Sequence, residues 1–301
     1  MHDTWSHAKN FFDHDIAIFS DARCTVVEDG PVRATVKVES RYNDSRLTQY
    51  FSLVSGERML RVRAECDWHE KHKMLKISWP CAIGTPVAAD YEIPFGFFAR
   101  PCDGEEENGH RYIVLRGEKR SAALLNDGKY SFSVKGNDMR LTVLRSPIYG
   151  DHGGPRTGES EYTEQGPSSF RYSFVPGDAE PDYAALERRA AELNCPPVSI
   201  CENNHRGTLP TEASFGSVDA GDVDITALKR AEDDNGWIVR AYETAGHETD
   251  AVIRLPVLGK ELSLHFGKFE VRTIFIPDGN GGEPDDGSEP HEVMLTEWEY
   301  A

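Results

Sequence analysis

Cys66, His69 and His72 form a Cys-x-x-His-x-x-His run, a thiol and two imidazoles that could meet one metal ion if the chain turned there. The run is not the helical His-Glu-x-x-His of a zinc protease, because the second histidine follows the first by three residues and the segment ends a strand. The expectation is a solvated turn, with at least one of the three side chains pointing away and no metal held. A second chemical segment runs from Leu144 to Pro155, where a strand enters a Gly-rich loop carrying Arg145, Tyr149, Asp151 and His152. Loops of this composition often line sites, and the alternative is a surface crossover with Arg145 paired to an acid. A third, from Tyr91 to Gly96 with Arg100-Pro101, offers aromatic faces of the kind a sugar ring stacks on, although core packing is the commoner use. Gly-x-Ser-x-Gly, the Gly-rich phosphate loop and the dinucleotide fingerprint are absent, and among 51 acidic residues no glycosidase carboxylate pair stands out by spacing.

The elements that carry these segments alternate with period two. Val32, Ala34, Val36 and Val38 alternate with polar partners, as do Leu60 to Cys66, Leu141 with Val143, and Phe170 to Phe174. Leu47 to Val54, Tyr112 to Leu115, Ser121 to Leu125 and Tyr130 to Val134 add further strands. Asp127-Gly128 between two apolar runs predicts a type I′ hairpin. One helix is expected: Pro181-Asp182 opens it, Tyr183, Leu186, Ala190 and Leu193 share a face, and Asn194 with Pro196-Pro197 ends it. Short strands follow at Val198 to Cys201, Val223 to Leu228, Trp237 to Tyr242, Ala251 to Leu255 and Phe269 to Ile276. The stretch from Pro277 to Pro290 is a loop ahead of a last apolar piece, Val293 to Trp298. The predicted organisation is residues 1–177, a linking helix over 178–196, and a smaller β domain over 197–301.

Composition narrows the function. The 301 residues carry a formal net charge of −18, which repels phosphate backbones and anionic lipid and argues against a nucleic-acid or membrane partner. No apolar run reaches the roughly 18 residues of a membrane span and no signal core opens the chain, so the expected compartment is the cytoplasm. Cys24, Cys66, Cys81, Cys102, Cys195 and Cys201 lack a Cys-x-x-Cys pair and read as reduced thiols.

Several motifs, taken in order, resemble glycoside hydrolase family 38 α-mannosidases. They are Asp3-Thr4-Trp5-Ser6-His7, Glu28 to Ala34, Trp68 to Lys76, Tyr91 to Gly96 with Arg100-Pro101, Leu124 to Tyr130, and Leu144 to Tyr149. Ala191 to Asn194, Leu228 to Asp233 and Arg240 to Glu243 continue the series, leaving only the Pro277 to Pro290 stretch outside it. The resemblance implies an all-β chain: a large antiparallel supersandwich of the galactose-mutarotase type, then a smaller β-sandwich, joined by one helix. It also implies that the catalytic zinc and the Asp nucleophile belong to an N-terminal α/β domain that would precede Met1, so this chain holds no cofactor of its own. In some family members an arginine of the β part approaches the nucleophile, and Arg145 is the position that matches.

The reading is therefore a C-terminal module of an α-mannosidase, inactive alone, whose Arg145 supports catalysis and whose Tyr91, Phe95 and Tyr149 form a carbohydrate-binding rim. Its partners would be an α-mannoside and a separate catalytic α/β chain, with self-association through an exposed docking patch. A truncation, a split gene and a relic all remain open. The alternatives are a stand-alone carbohydrate-binding module using Tyr91, Phe95 and Tyr149, and a mutarotase-like epimerase, which needs a histidine and a carboxylate on one concave face.

Overall fold

The computed structural model describes residue 4 and residues 14–150, 160–278 and 289–298, the Val87 side chain excepted. The chain divides into two compact units, Met1–Pro181 with Arg188–Pro197, and Asp182–Glu187 with Val198–Ala301.

The first unit begins with four long strands, β1 (Ser20–Asp29), β2 (Arg33–Tyr42), β3 (Ser45–Val54) and β4 (Leu60–Trp68). It continues through β5 (Met74–Pro80), β6 (Pro86–Ile93), β7 (Gly96–Arg100), β8 (Asp103–Asn108), β9 (Tyr112–Gly117) and β10 (Arg120–Asn126). β11 (Ser131–Lys135), β12 (Asp138–Arg145) and β13 (Gly166–Asp178) complete it. Nine of these form one sheet in the order β1-β2-β3-β4-β13-β10-β9-β6-β7, and four form another in the order β5-β12-β11-β8. All neighbours are antiparallel, which lets each sheet keep one face wet and read as alternation in sequence. Val62, Ala64 and Cys66 of the large sheet share one buried cluster with Ile77, Phe132 and Leu141 of the small one, so the two sheets form a sandwich. β1 adds nothing to that cluster, and Val26, Val27, Val32 and Leu53 at this end of the sheet are exposed.

The helix α1 (Tyr183–Asn194) follows, with the Asp182 carboxylate accepting the Ala185 N–H at 2.9 Å as its cap. In the second unit, β15 (Val223–Arg230), β16 (Gly236–Glu243), β19 (Val271–Pro277) and β20 (His291–Glu292) form one sheet. β14 (Ser217–Val218), β17 (Thr249–Leu255) and β18 (Lys260–Phe266) form the other. Val239 and Ile274 from the first pack with Ile253 and Phe266 from the second, giving a smaller sandwich.

Three local expectations are corrected. Asp127-Gly128 does not close a hairpin: β10 and β11 lie in different sheets, and the turn is a crossover. The Asn126 side chain accepts the N–H groups of Gly128 and Lys129 at 2.9 and 2.6 Å, and Asp127 lacks the positive φ that a type I′ turn needs. Residues 198–201 are not a strand: they join no sheet, and Val198 and Ile200, with no second layer to bury them, stand exposed. The Tyr91 to Arg100 segment is not a loop but the hairpin β6–β7, turning at Pro94-Phe95, where Phe95 takes φ 59°.

Candidate functional site

Arg145 is the last residue of β12, paired with Met74 of the edge strand β5. A register shift between Thr142 and Leu144 resets the alternation, so Leu144 is buried and Arg145 falls on the sheet's outer face. Thr163 Oγ1 donates to the Arg145 carbonyl at 3.1 Å, and the Glu164 carboxylate accepts the Arg145 N–H. The guanidinium reaches the chain start, with Nη2 donating to Thr4 O at 3.0 Å. Beyond it, Ser146 exchanges backbone hydrogen bonds with Lys73 and His72 (3.0 and 2.7 Å), and Ile148 bridges Tyr162. The Tyr149 N–H donates to Glu161 O at 2.8 Å, leaving the phenol exposed. The rest of the expected loop, residues 151–155, lies outside the described residues.

His72 sits beside this loop with φ 53°, a left-handed conformation that costs a non-glycine residue about 1 kcal/mol. Its Nε2 lies 3.1 Å from the Tyr162 hydroxyl, its ring meets the Tyr162 ring edge-on, and Lys71 Nζ stands 4.8 Å over that ring. The three members of the Cys-x-x-His-x-x-His run thus have separate surroundings. Cys66 is in the core, His69 Nε2 lies 3.0 Å from Asp67, and His72 faces Tyr162. Burial pushes the Cys66 thiol up to about 12, which disfavours the thiolate a metal would need. Glu70, within the run, is a buried anchor for Lys73 and Asn43.

Among the described residues, Asp222, Glu243 and His247 bring ligand atoms within 4.8 Å of one another. They do not fit zinc. Both Glu243 oxygens are occupied by backbone N–H groups: Ala245 and Gly246 on one, and Gly246, His247 and Phe269 on the other. This buried carboxylate staples two turns together, and its lone pairs are already used.

The rim expected from Tyr91, Phe95 and Tyr149 does not assemble as a trio. Tyr91 is corrected: it is 1% exposed, its ring edge-on to Phe132 at 6.1 Å with the Arg100 guanidinium 5.3 Å above it. Alternation along β6 turns Tyr91 into the sandwich while its neighbour Glu92 grips Arg111, so no sugar can stack on it. Phe95 is 40% exposed at the β6–β7 turn, on the far edge of the nine-stranded sheet, and Tyr149 is 63% exposed after β12. The residues that flank Arg145, namely Thr4, His72, Tyr162 and Glu164, were not picked out together by sequence. Thr4 lies in the Asp3-to-His7 motif and His72 in the Cys-x-x-His-x-x-His run, but neither motif points to Arg145, and Tyr162 and Glu164 carry no signal.

Residues 1–153 match the model of the glycosyl hydrolases family 38 C-terminal domain, and residues 222–274 match that of the family 38 C-terminal beta sandwich domain. Mouse alpha-mannosidase 2C1 is 31% identical over 233 residues, covering 73% of this chain and 21% of its own length. Alpha-mannosidase G of Dictyostelium discoideum is 26% identical over 269 residues, covering 82% of this chain and 23% of its own. The chain therefore spans between a fifth and a quarter of the length of these relatives. The solved structure of an alpha-mannosidase from Enterococcus faecalis V583 has the same fold, with a TM-score of 0.68 and 16% identity over 84% of this chain and 34% of that one. By these matches across both sandwiches, the chain belongs to glycosyl hydrolase family 38, as its C-terminal β portion.

Proposed function

We propose that this chain is the β module of an α-mannosidase, and that its first sandwich lends Arg145 to a mannoside site whose reacting groups belong to another part of the enzyme. The observation that carries this is the placement of Arg145: a strand end, held through its backbone N–H and carbonyl, with the guanidinium donating to Thr4 O, while the Thr4 hydroxyl accepts the N–H of Gly150, the residue after exposed Tyr149. A guanidinium is always charged and offers a planar fork, which suits holding a carboxylate ionised and oriented in a way that a lysine cannot reproduce. In this reading Arg145 is a positioning residue, and Tyr149 and Phe95 are the remaining candidates for contact with sugar.

In this reading the zinc of the resembled family belongs to the other part; the Asp222, Glu243 and His247 cluster here has its Glu243 oxygens taken by backbone N–H groups. The exposed Val26, Val27, Val32 and Leu53 support docking by a separate catalytic polypeptide or by a second copy. Six free thiols suit a reducing, cytoplasmic setting, and no helix among the described residues is long and apolar enough to cross a membrane. The test is to assay release of mannose from an α-mannoside by the chain alone, with zinc, and with a family 38 catalytic polypeptide added. Activity only in the last case supports the reading; zinc-dependent turnover by the pure chain overturns it.

A further inference from the structure

The outer face of the nine-stranded sheet, opposite the face packed on the core, carries a groove of about 1160 Å³ lined entirely by residues of the first unit. Five of its lining residues are arginines, Arg33, Arg61, Arg63, Arg171 and Arg189, in a chain whose net charge is −18. Register explains the cluster. Arg63 of β4 is directly opposite Arg171 of β13, and Arg61 lies two residues along the same face. Like charges facing each other across an antiparallel pair are destabilising, so this arrangement is not one that sheet packing favours.

No guanidinium around the groove has more than two partners among the described residues. Arg63 lies 4.0 Å over the Tyr50 ring and pairs with Glu65; Arg61 gives two bonds to Glu57, at 3.0 and 2.7 Å. Arg171 donates to Asp127 at 2.8 Å and to Leu193 O, at the end of α1, at 3.2 Å. Arg33 gives one bond to Glu28, and Arg189 gives none among the described residues. A guanidinium has five N–H donors, so most of those around the groove are unspent. Among the acceptors, both Glu57 oxygens and both Asp127 oxygens are engaged, Glu28 accepts through one oxygen, and Glu192 also lines the groove. The carboxylates leave the groove near neutral overall, and what it holds in excess is oriented N–H donors. Beside them, on the adjoining cross-strand row, the Thr35 and Ser52 hydroxyls lie 2.9 Å apart; Thr35 also lies 3.0 Å from the Glu28 carboxylate, and the Ser52 hydroxyl can exchange its bond with a hydroxylated ligand.

Planar donors that are each fixed by a few bonds and keep further N–H groups unspent match the oxygens of a phosphate group, and the hydroxyl row matches a polyol attached to it. We propose that this groove binds a small phosphorylated sugar, with its phosphate among Arg61, Arg63, Arg171 and Arg189. The proposal does not rest on the mannosidase reading, since Arg145 lies on the outer face of the other sheet.

The test is calorimetric titration of the chain with a hexose 6-phosphate, inorganic phosphate, the unphosphorylated hexose and an aspartate-rich peptide. It is repeated on Arg63→Gln, Arg189→Gln and, as a control in the second unit, Arg254→Gln. Saturable binding is expected for the hexose phosphate, tighter than for inorganic phosphate, falling about tenfold in Arg63→Gln and in Arg189→Gln and unchanged in Arg254→Gln. Unaltered circular dichroism melts in the two groove variants, whose side chains lie at the surface, keep a loss of binding from being a loss of folding. Four results overturn the proposal: no saturable binding, equal affinity in every variant, a hexose phosphate no tighter than inorganic phosphate or plain hexose, or a peptide that outcompetes the hexose phosphate.

Discussion

Replacing Tyr91 by alanine separates its two uses, a stacking surface or a core ring, and the structure predicts which will show. Tyr91 is 1% exposed, packs edge-on against the fully buried Phe132, and lies under the Arg100 guanidinium. The surroundings have little freedom to collapse into a cavity: a Cβ added at neighbouring Gly109 would already sit 3.0 Å from Phe132 and 3.3 Å from Tyr91. Truncating a buried aromatic costs about 3–5 kcal/mol, and poor relaxation favours the upper part of that range. For a unit of this size each kcal/mol lowers the melting temperature by roughly 2–4 °C, so Tyr91→Ala should lower it by about 10 °C or more. Phe95→Ala, at an exposed turn, should stay within about 0.5 kcal/mol. Calorimetry of both variants reads this directly, and only the transition of the first unit should move. A Tyr91→Ala melt within about 2 °C of the parent would refute the assignment of Tyr91 to the core.

Glu243→Ala should destabilise the second unit by about 3 kcal/mol or more, because several buried N–H groups lose one shared acceptor. Amide exchange at Ala245, Gly246, His247 and Phe269 should accelerate together, and added zinc should leave the parent's melting temperature unchanged. A thiol-specific reagent at pH 8 should label Cys24, Cys195 and Cys201 quickly and Cys66 and Cys81 only on unfolding. Burial holds the Cys66 and Cys81 thiols at about 12 and about 11, above the ordinary thiol range, so the folded state keeps protons that the unfolded state releases. Stability should therefore fall as the pH rises above about 8.5, by up to about 1.4 kcal/mol per unit for each thiol, until the folded values are reached. Urea denaturation between pH 8 and 10.5 checks this, and Cys66→Ala should flatten the slope.

The antiparallel sandwich was legible because one face of each strand is wet: Leu60 to Cys66 and Phe170 to Phe174 alternate in sequence and pair in the structure as β4 and β13. Where that contrast fails, so does the sequence pattern. β1 is exposed along nearly its whole length and gives no alternation, while β6 is buried on both sides, with Asp90 and Glu92 as hidden as Tyr91. A buried carboxylate in a strand looks like a loop acid until its arginine is seen, and Arg111 and Arg116 lie 19 residues beyond Glu92 and 26 beyond Asp90. The Asp-Gly turn misled for a related reason: local turn chemistry fixes a change of direction but not which sheet receives the next strand. Arg145 could be placed at a strand end from its flanking residues. His72 and Tyr162 are brought to this end of β12 by the β5–β12 pairing and the Ile148–Tyr162 bridge, and Thr4 by its own bond from the guanidinium, contacts that no spacing along the chain encodes.

The role proposed for Arg145 is to serve a mannoside site completed by another part of the enzyme. The most direct measurement is the turnover of an α-mannoside by this chain combined with a family 38 catalytic polypeptide, comparing Arg145 with Arg145→Lys. The account predicts activity only in the combination, a lower kcat with a smaller change in KM for Arg145→Lys, and an unchanged melting temperature of the β module. Equal turnover by both forms, or hydrolysis by the isolated chain, would contradict it.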